Sequence, residues 1–238
     1  MEEMTIVRFF VDKEKKGKEK RRAKWQYFMD VQVLKAGEDY LNLITVCLPG
    51  MAYKKKAWNT KMWTEYLQGL VVPSEGRCVY YLYEDGAKEA LGREDEVLSE
   101  EWVSFILKSC KVQFDALLLL WDRETENGEL LEKHVRHCRY MAVVTKREED
   151  AIHWQDMLWE EYGFLLEVVS EANLLHIPQN RNTLIVAGKE LFGLMPGMLT
   201  PGTLFVSTRR DGTGKKLCAR AKDVKYIDIK CFLASLLP

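Results

Sequence analysis

Hydrophobic and polar positions follow three successive rhythms along this chain. Over the first fifty residues they alternate as strands do. Ile6, Phe9, Phe10 and Val11 form one run, Trp25, Tyr27, Phe28, Val31, Val33 and Leu34 a second, and Leu41, Leu43, Ile44, Val46 and Cys47 a third. The charged stretch 13–22, with Gly17 at its middle, reads as a long hairpin tip, and Ala36-Gly37-Glu38-Asp39 as a short one. An antiparallel β-meander over residues 1–50, closed by Pro49-Gly50, is the simplest pairing.

The period then changes. Trp58, Met62, Trp63, Tyr66, Leu67 and Leu70 lie on one stripe of a helix, which Pro73 ends. Beyond it strand and helix alternate: strand 78–84, helix 99–110, strand 114–121, helix 128–138, strand 140–145, helix 148–162 and strand 164–169. Strand 183–187, a short helix 189–194, strand 203–207, strand 226–229 and a terminal helix complete the chain. Ser99 stands as an N-cap ahead of Glu100 and Glu101, and Gly163 sits where a helix stops. Runs such as Ala-Leu-Leu-Leu-Leu-Trp and Tyr-Met-Ala-Val-Val are apolar without a break, as in strands buried on both faces of a helix-covered parallel sheet. The fold class expected is therefore α/β. A Rossmann-like, doubly wound, mostly parallel sheet fills residues 51–238, and the β-meander of residues 1–50 precedes it.

Composition fits a folded globule, with 47% hydrophobic, 30% charged and 11% aromatic residues in 238. The longest apolar run, 116–121, is far short of a membrane span, and the N-terminus has no export pattern, so a cytoplasmic location and no membrane contact are the expectation. The formal charge is −1, which gives no bulk attraction to polyanions. Locally the balance differs: residues 13–24 hold eight cations and two anions. With Trp25 and Tyr27 directly after it, this tip has the composition to follow a phosphate backbone and stack a base, or to act as a solvated guard on strand edges. The aromatics of the meander also suggest a face for a protein partner or for a second copy of the chain. The six cysteines show no C-x-x-C, and they read as reduced core thiols.

In a doubly wound sheet ligands bind at the carboxyl ends of the strands, where strand order reverses. The sharpest local feature there is Thr183-Leu184-Ile185-Val186-Ala187-Gly188-Lys189-Glu190-Leu191-Phe192-Gly193. An apolar strand meets a turn whose Gly188 and Gly193 hold the first and third glycine positions of G-x-G-x-x-G, while Glu190 replaces the middle one. That glycine lets the backbone approach a pyrophosphate, and Glu190 sets bulk and negative charge in its place. The next strand ends in Ser207-Thr208-Arg209-Arg210, hydroxyls and arginines suited to a ribose 2′-phosphate. Gly188, Lys189, Gly193, Ser207, Thr208 and Arg209 are thus the candidate ligand residues. NADP is one candidate cofactor, a related nucleotide or phosphate-bearing small molecule another, and a degenerate site on an interaction scaffold the alternative.

Other chemistry is thinner. The cationic segment 209–216 could cradle phosphate, but it lacks the P-loop spacing. His134 and Cys138 stand four apart on a helix, a metal-ligating spacing that core packing explains more economically. Asp122 and Glu124 form an acid/base pair only if their surroundings differ, and no nucleophile elbow occurs.

Overall fold

Residues 3–11 carry apolar side chains to both faces of an extended chain, with Met4 and Ile6 buried on one side and Val7, Phe9 and Val11 on the other. A strand of that kind is stable only between two neighbours. In the computed structural model β1 (Glu3–Val11) has them: β3 (Asp39–Leu48) on one side and β4 (Cys78–Tyr83) on the other, both parallel to it. The structure describes residues 3–11, 28–48, 78–84, 86–88, 97–121, 128–170, 182–188, 190–210 and 212–237. The basic tip, the stripe 58–70 and the loop 122–127 lie outside them.

β2 (Phe28–Ala36) completes a four-stranded sheet in the order β2-β3-β1-β4. It pairs antiparallel with β3 through a two-residue turn, whose Gly37 takes a φ of 66°, a region glycine enters without a Cβ clash. The expected all-antiparallel meander is corrected on this point. Only the β2–β3 pair is antiparallel, and β1 lies beside β3 and β4 rather than β2. Burial is the reason: β2 exposes Met29, Val31 and Val33 and suits an edge, whereas β1 has no solvent-tolerant face. Val7, Phe9, Val11, Val46, Leu48, Tyr83 and Ala87 form one apolar cluster, in which Phe9 stacks on Tyr83 at 5.1 Å. The chain forms two units, Met1–Glu96 and Val97–Pro238, so β4 belongs with the N-terminal sheet and not with the later strands.

The C-terminal unit begins with α1 (Glu100–Ser109) and β5 (Ala116–Leu120), a strand buried at every position. There follow α2 (Glu129–His134), β6 (Tyr140–Val144), α3 (Glu149–Tyr162), β7 (Glu167–Val169), β8 (Thr183–Ala187), β9 (Leu204–Ser207), α4 (Thr213–Cys218), β10 (Lys225–Ile227) and α5 (Ile229–Leu236). The six strands form one all-parallel sheet in the order β10-β9-β8-β5-β6-β7. The chain starts in the middle at β5 and builds outward to β7. It then returns to the other side of β5 with β8 and builds outward to β10, so strand order reverses between β5 and β8. One sheet face packs Leu118, Leu120, Ala142, Val144, Ile185, Ala187 and Phe205 against Phe192, Leu194, Leu199 and α4's Leu217.

Local signals explain most boundaries. Gly163, at φ 63°, ends α3, and its N–H donates to the Trp159 carbonyl. Asp228 caps α5 by accepting from the Cys231 N–H at 2.7 Å. The helix expected over 189–194 is absent. Phe192 and Gly193 take φ of 48° and 75°, and the Leu194 N–H closes a turn on the Leu191 carbonyl. Phe192 and Leu194 are drawn into the apolar cluster, and Pro196 follows too closely for a helix to continue. Conversely, α4 forms where a cationic loop was expected. Among the described residues no helix is long and apolar enough to cross a membrane.

Candidate functional site

A parallel sheet gathers the carboxyl ends of its strands on one edge, so topology alone sets the residues after β8 beside those after β9. The Thr208 N–H donates to the Ala187 carbonyl at 2.8 Å, its hydroxyl points to the same oxygen at 3.3 Å, and its own carbonyl accepts the Leu98 N–H at 2.9 Å. The Ser207 hydroxyl donates to the Arg209 carbonyl at 2.6 Å and sits 3.4 Å from the Arg209 N–H. The register of β8 against β9 thus sets Gly188 near Ser207, Thr208 and Arg209, and both hydroxyls turn to the backbone. They fix the shape of the edge, and the half-buried Arg209 carries its charge.

The glycine turn behaves differently. Gly188 is buried at the end of β8, Gly193 lies exposed in the turn at φ 75°, and Lys189 is outside the described residues. Among the described residues 190–194 no helix opens after β8, so these residues do not supply the row of N–H groups that would hold a pyrophosphate. Glu190 instead forms an ion pair with Lys146, which follows β6, and the Lys146 ammonium lies 5.8 Å from the centre of the Phe192 ring. Since β5 lies between β6 and β8, this pair reaches across the carboxyl end of β5. The Thr145 hydroxyl holds the β6 turn by accepting the Arg147 N–H at 3.1 Å and facing the Arg147 carbonyl at 3.2 Å. Cations therefore flank the reversal on both sides, Lys146 and Arg147 after β6 and Arg209 and Arg210 after β9, with the acidic Glu148 and Glu149 leading on into α3.

Sequence reasoning missed a second feature of this edge. Leu98, tied to Thr208, brings α1 to the carboxyl edge, and α2 starts there because it follows β5. Their first residues meet: the Glu129 N–H donates to Glu100 Oε1 at 2.9 Å, and Lys133 lies 3.7 Å from the Glu129 carboxylate. Glu100 is only 8% exposed, and burial, reinforced by the Glu129 side chain, pushes its carboxyl up to about 7. Its neighbour Glu101 is held low by the Ser99 hydroxyl, which bonds that carboxylate instead of capping the helix. A carboxyl near 7 exchanges protons at neutral pH. Ser99-Glu100-Glu101 had read simply as a helix start, because the partner residue lies in another helix.

Behind the β9 end, the Tyr226 hydroxyl donates to the Asp228 carboxylate at 3.1 Å, and burial raises it above the usual phenol range. Elsewhere, His134 packs edge-on against Phe114 at 5.0 Å, its titration lowered by burial. The Cys138 thiol is pushed up to about 12 by burial and the Asp115 charge. α2 ends at His134, and a further turn carries the chain on to Cys138, whose N–H donates to the His134 carbonyl at 3.0 Å. Among the described residues no group of three or more His, Cys, Asp or Glu converges as a metal would require. Asp122, Glu124, the basic tip 13–24, Trp25 and Tyr27, with the nucleic-acid reading they carried, lie outside the described residues. No protein-family model matches the chain, and no curated protein matches it.

Proposed function

We propose that the C-terminal unit is a Rossmann-like domain that binds a phosphate-containing small molecule or nucleotide at the carboxyl edge of its sheet. The observation that carries the reading is the strand order. Counted within the unit it runs 3-2-1-4-5-6, the doubly wound order whose ligands sit at the reversal. Here that reversal is flanked by Arg209 and Arg210 on one side and Lys146 and Arg147 on the other. Arg209 supplies the main anion contact, Gly188 lets a ligand approach the backbone closely, Gly193 borders the turn, Ser207 and Thr208 hold Arg209 in place, and Lys189 is kept as a candidate from the sequence alone. NADP is retained as a candidate through Arg209 alone, since the hydroxyls beside it are engaged.

The test is thermal unfolding against NAD, NADP, FAD, ATP, GTP, S-adenosylmethionine and simple phosphosugars. A ligand at about 100 times its Kd adds about 2.7 kcal/mol, a shift of roughly 5–10 °C. Arg209→Ala should abolish the shift, and Glu190→Gln, which removes the anion beside the crevice, should enlarge it. A responder whose shift survives in Arg209→Ala overturns the assignment of Arg209. Silence across the panel overturns the reading in favour of a second one, an interaction scaffold with a degenerate cofactor site. The Lys146–Glu190 pair across β5 and the missing helix after β8 favour that alternative.

A further inference from the structure

β2 is the last strand on its side of the N-terminal sheet among the described residues, and it is an unusually bare edge. It pairs with β3 from Phe28↔Cys47 to Ala36↔Asp39 without a bulge, contains no proline or glycine, and carries only Asp30 and Lys35 as charges. Sheet proteins normally blunt such an edge with bulges, prolines or inward charges. On one face Met29, Val31 and Val33 are 48%, 55% and 64% exposed. They stand beside Val46, Ile44 and Asn42 of β3, so they extend the apolar cluster of the sheet outward to a strand that nothing described covers.

We infer that β2 pairs antiparallel with β2 of a second copy of this chain, about a two-fold axis through Val31 perpendicular to the sheet. The sequence of the strand selects that occupant and that register. An axis at Val31 sets Val31 against itself, Met29 against Val33 and Asp30 against Gln32. Apolar side chains then meet on one face and a carboxylate meets an amide on the other. The Gln32 amide already donates one N–H to its own Asp30 at 2.8 Å and has a second for the Asp30 of the copy. An axis at Asp30 opposes two carboxylates, and an axis at Gln32 sets Met29 against Lys35 and Asp30 against Leu34. A shift by a single residue would exchange the two faces. The strand complements itself in the Val31 register and not in its neighbours.

Sedimentation velocity of the full chain over a concentration series tests this. Wild type should show a reversible dimer, and Val31→Lys, which opposes two ammonium groups at the axis, should weaken it by at least about tenfold. Circular dichroism will confirm that this exposed substitution leaves the fold intact. For the register, cysteines are introduced singly into a Cys110→Ser background and oxidised. Val31→Cys should form a covalent dimer, Val33→Cys should not, and a mixture of Met29→Cys and Val33→Cys chains should. A wild-type chain that stays monomeric, a dimer indifferent to Val31→Lys, or a Val33→Cys chain that links to itself as readily as Val31→Cys would each overturn the inference, and a different occupant of the edge would then be sought.

Discussion

Replacing Gly214 with alanine tests how closely α4 is set against the sheet. Gly214 lies inside a helix, and on an open surface the change would stabilise by about 1 kcal/mol through helix propensity. Here a Cβ would stand 2.6 Å from Cε1 and 3.2 Å from Cζ of Phe205, and 3.2 Å from Cε2 of Tyr226. The Phe205 ring is fully buried and stacks on Tyr226 at 6.1 Å, while the Tyr226 hydroxyl is tied to Asp228. Neither ring can yield without disturbing the other, so overpacking of about 2–3 kcal/mol should exceed the propensity gain. The net loss is about 1–2 kcal/mol, or roughly 3–8 °C in Tm for a unit of this size. Calorimetry of Gly214→Ala beside Gly197→Ala measures it, because a Cβ at Gly197 meets nothing within 4 Å and should change little. Adding Phe205→Leu to Gly214→Ala should recover part of the loss, giving a favourable coupling in the double-mutant cycle. A Gly214→Ala protein as stable as wild type, with no coupling to Phe205, would refute the packing argument.

The Glu100 carboxyl offers a test by pH. Its native value of about 7 stands above the 4.5 of an unstructured chain, so between those values the native state keeps a proton that the unfolded chain has released. Stability should fall as pH rises from about 4.5 to about 7 and level off above, by up to about 3 kcal/mol. Glu100→Gln should remove that slope, match wild type at low pH and exceed it near pH 8, and an unchanged urea-unfolding profile would refute the assignment. Thiol labelling probes the core directly. Among the cysteines whose side chains are described, Cys110 is the exposed one and should react before the others with an alkylating reagent, although partial burial raises its thiol. Cys138 and Cys218, buried and pushed up to about 12 and about 11, should stay protected until the unit unfolds, and rapid labelling of either in the native protein would contradict their placement.

The sheet of the C-terminal unit was legible because its strands are buried on both faces. Ala116–Leu120, Tyr140–Val144 and Thr183–Ala187 are short apolar runs bounded by polar turns, and Gly163 marks the end of the intervening α3. The N-terminal pairing was not legible, since alternation marks a strand without naming its neighbours. The near-continuous apolar face-to-face character of β1, against the Asp30 and Gln32 of β2, was the available clue to which strand is central. The turn at 190–194 misled because Leu191, Phe192 and Leu194 have helical spacing. What decides their conformation is a cluster assembled from β5, β6 and β9, far away in sequence. The Glu100–Glu129 pair was hidden for the same reason, its residues being joined only by the topology.

The same topology ranks the cations at the edge. Lys146 is already paired with Glu190, both side chains are well exposed, and Glu148 and Glu149 follow within three residues. An exposed pair of this kind is worth at most about 1 kcal/mol, so it would only lower the pull of Lys146 on an anion in the proposed reading. Arg209 differs in how its backbone is held. Its backbone is held by the Ser207 hydroxyl, which donates to its carbonyl, and the preceding residue is fixed to both Ala187 and Leu98. In the proposed reading, a half-buried guanidinium on so constrained a backbone would lose less freedom on meeting an anion, and its charge would act through a lower dielectric than that of the exposed Lys146. In the proposed ligand reading, Ser207 and Thr208 would serve by holding the backbone at Arg209 and not by touching phosphate. That is why the arginine variant, and not the lysine one, separates a working ligand edge from a scaffold that keeps only its shape.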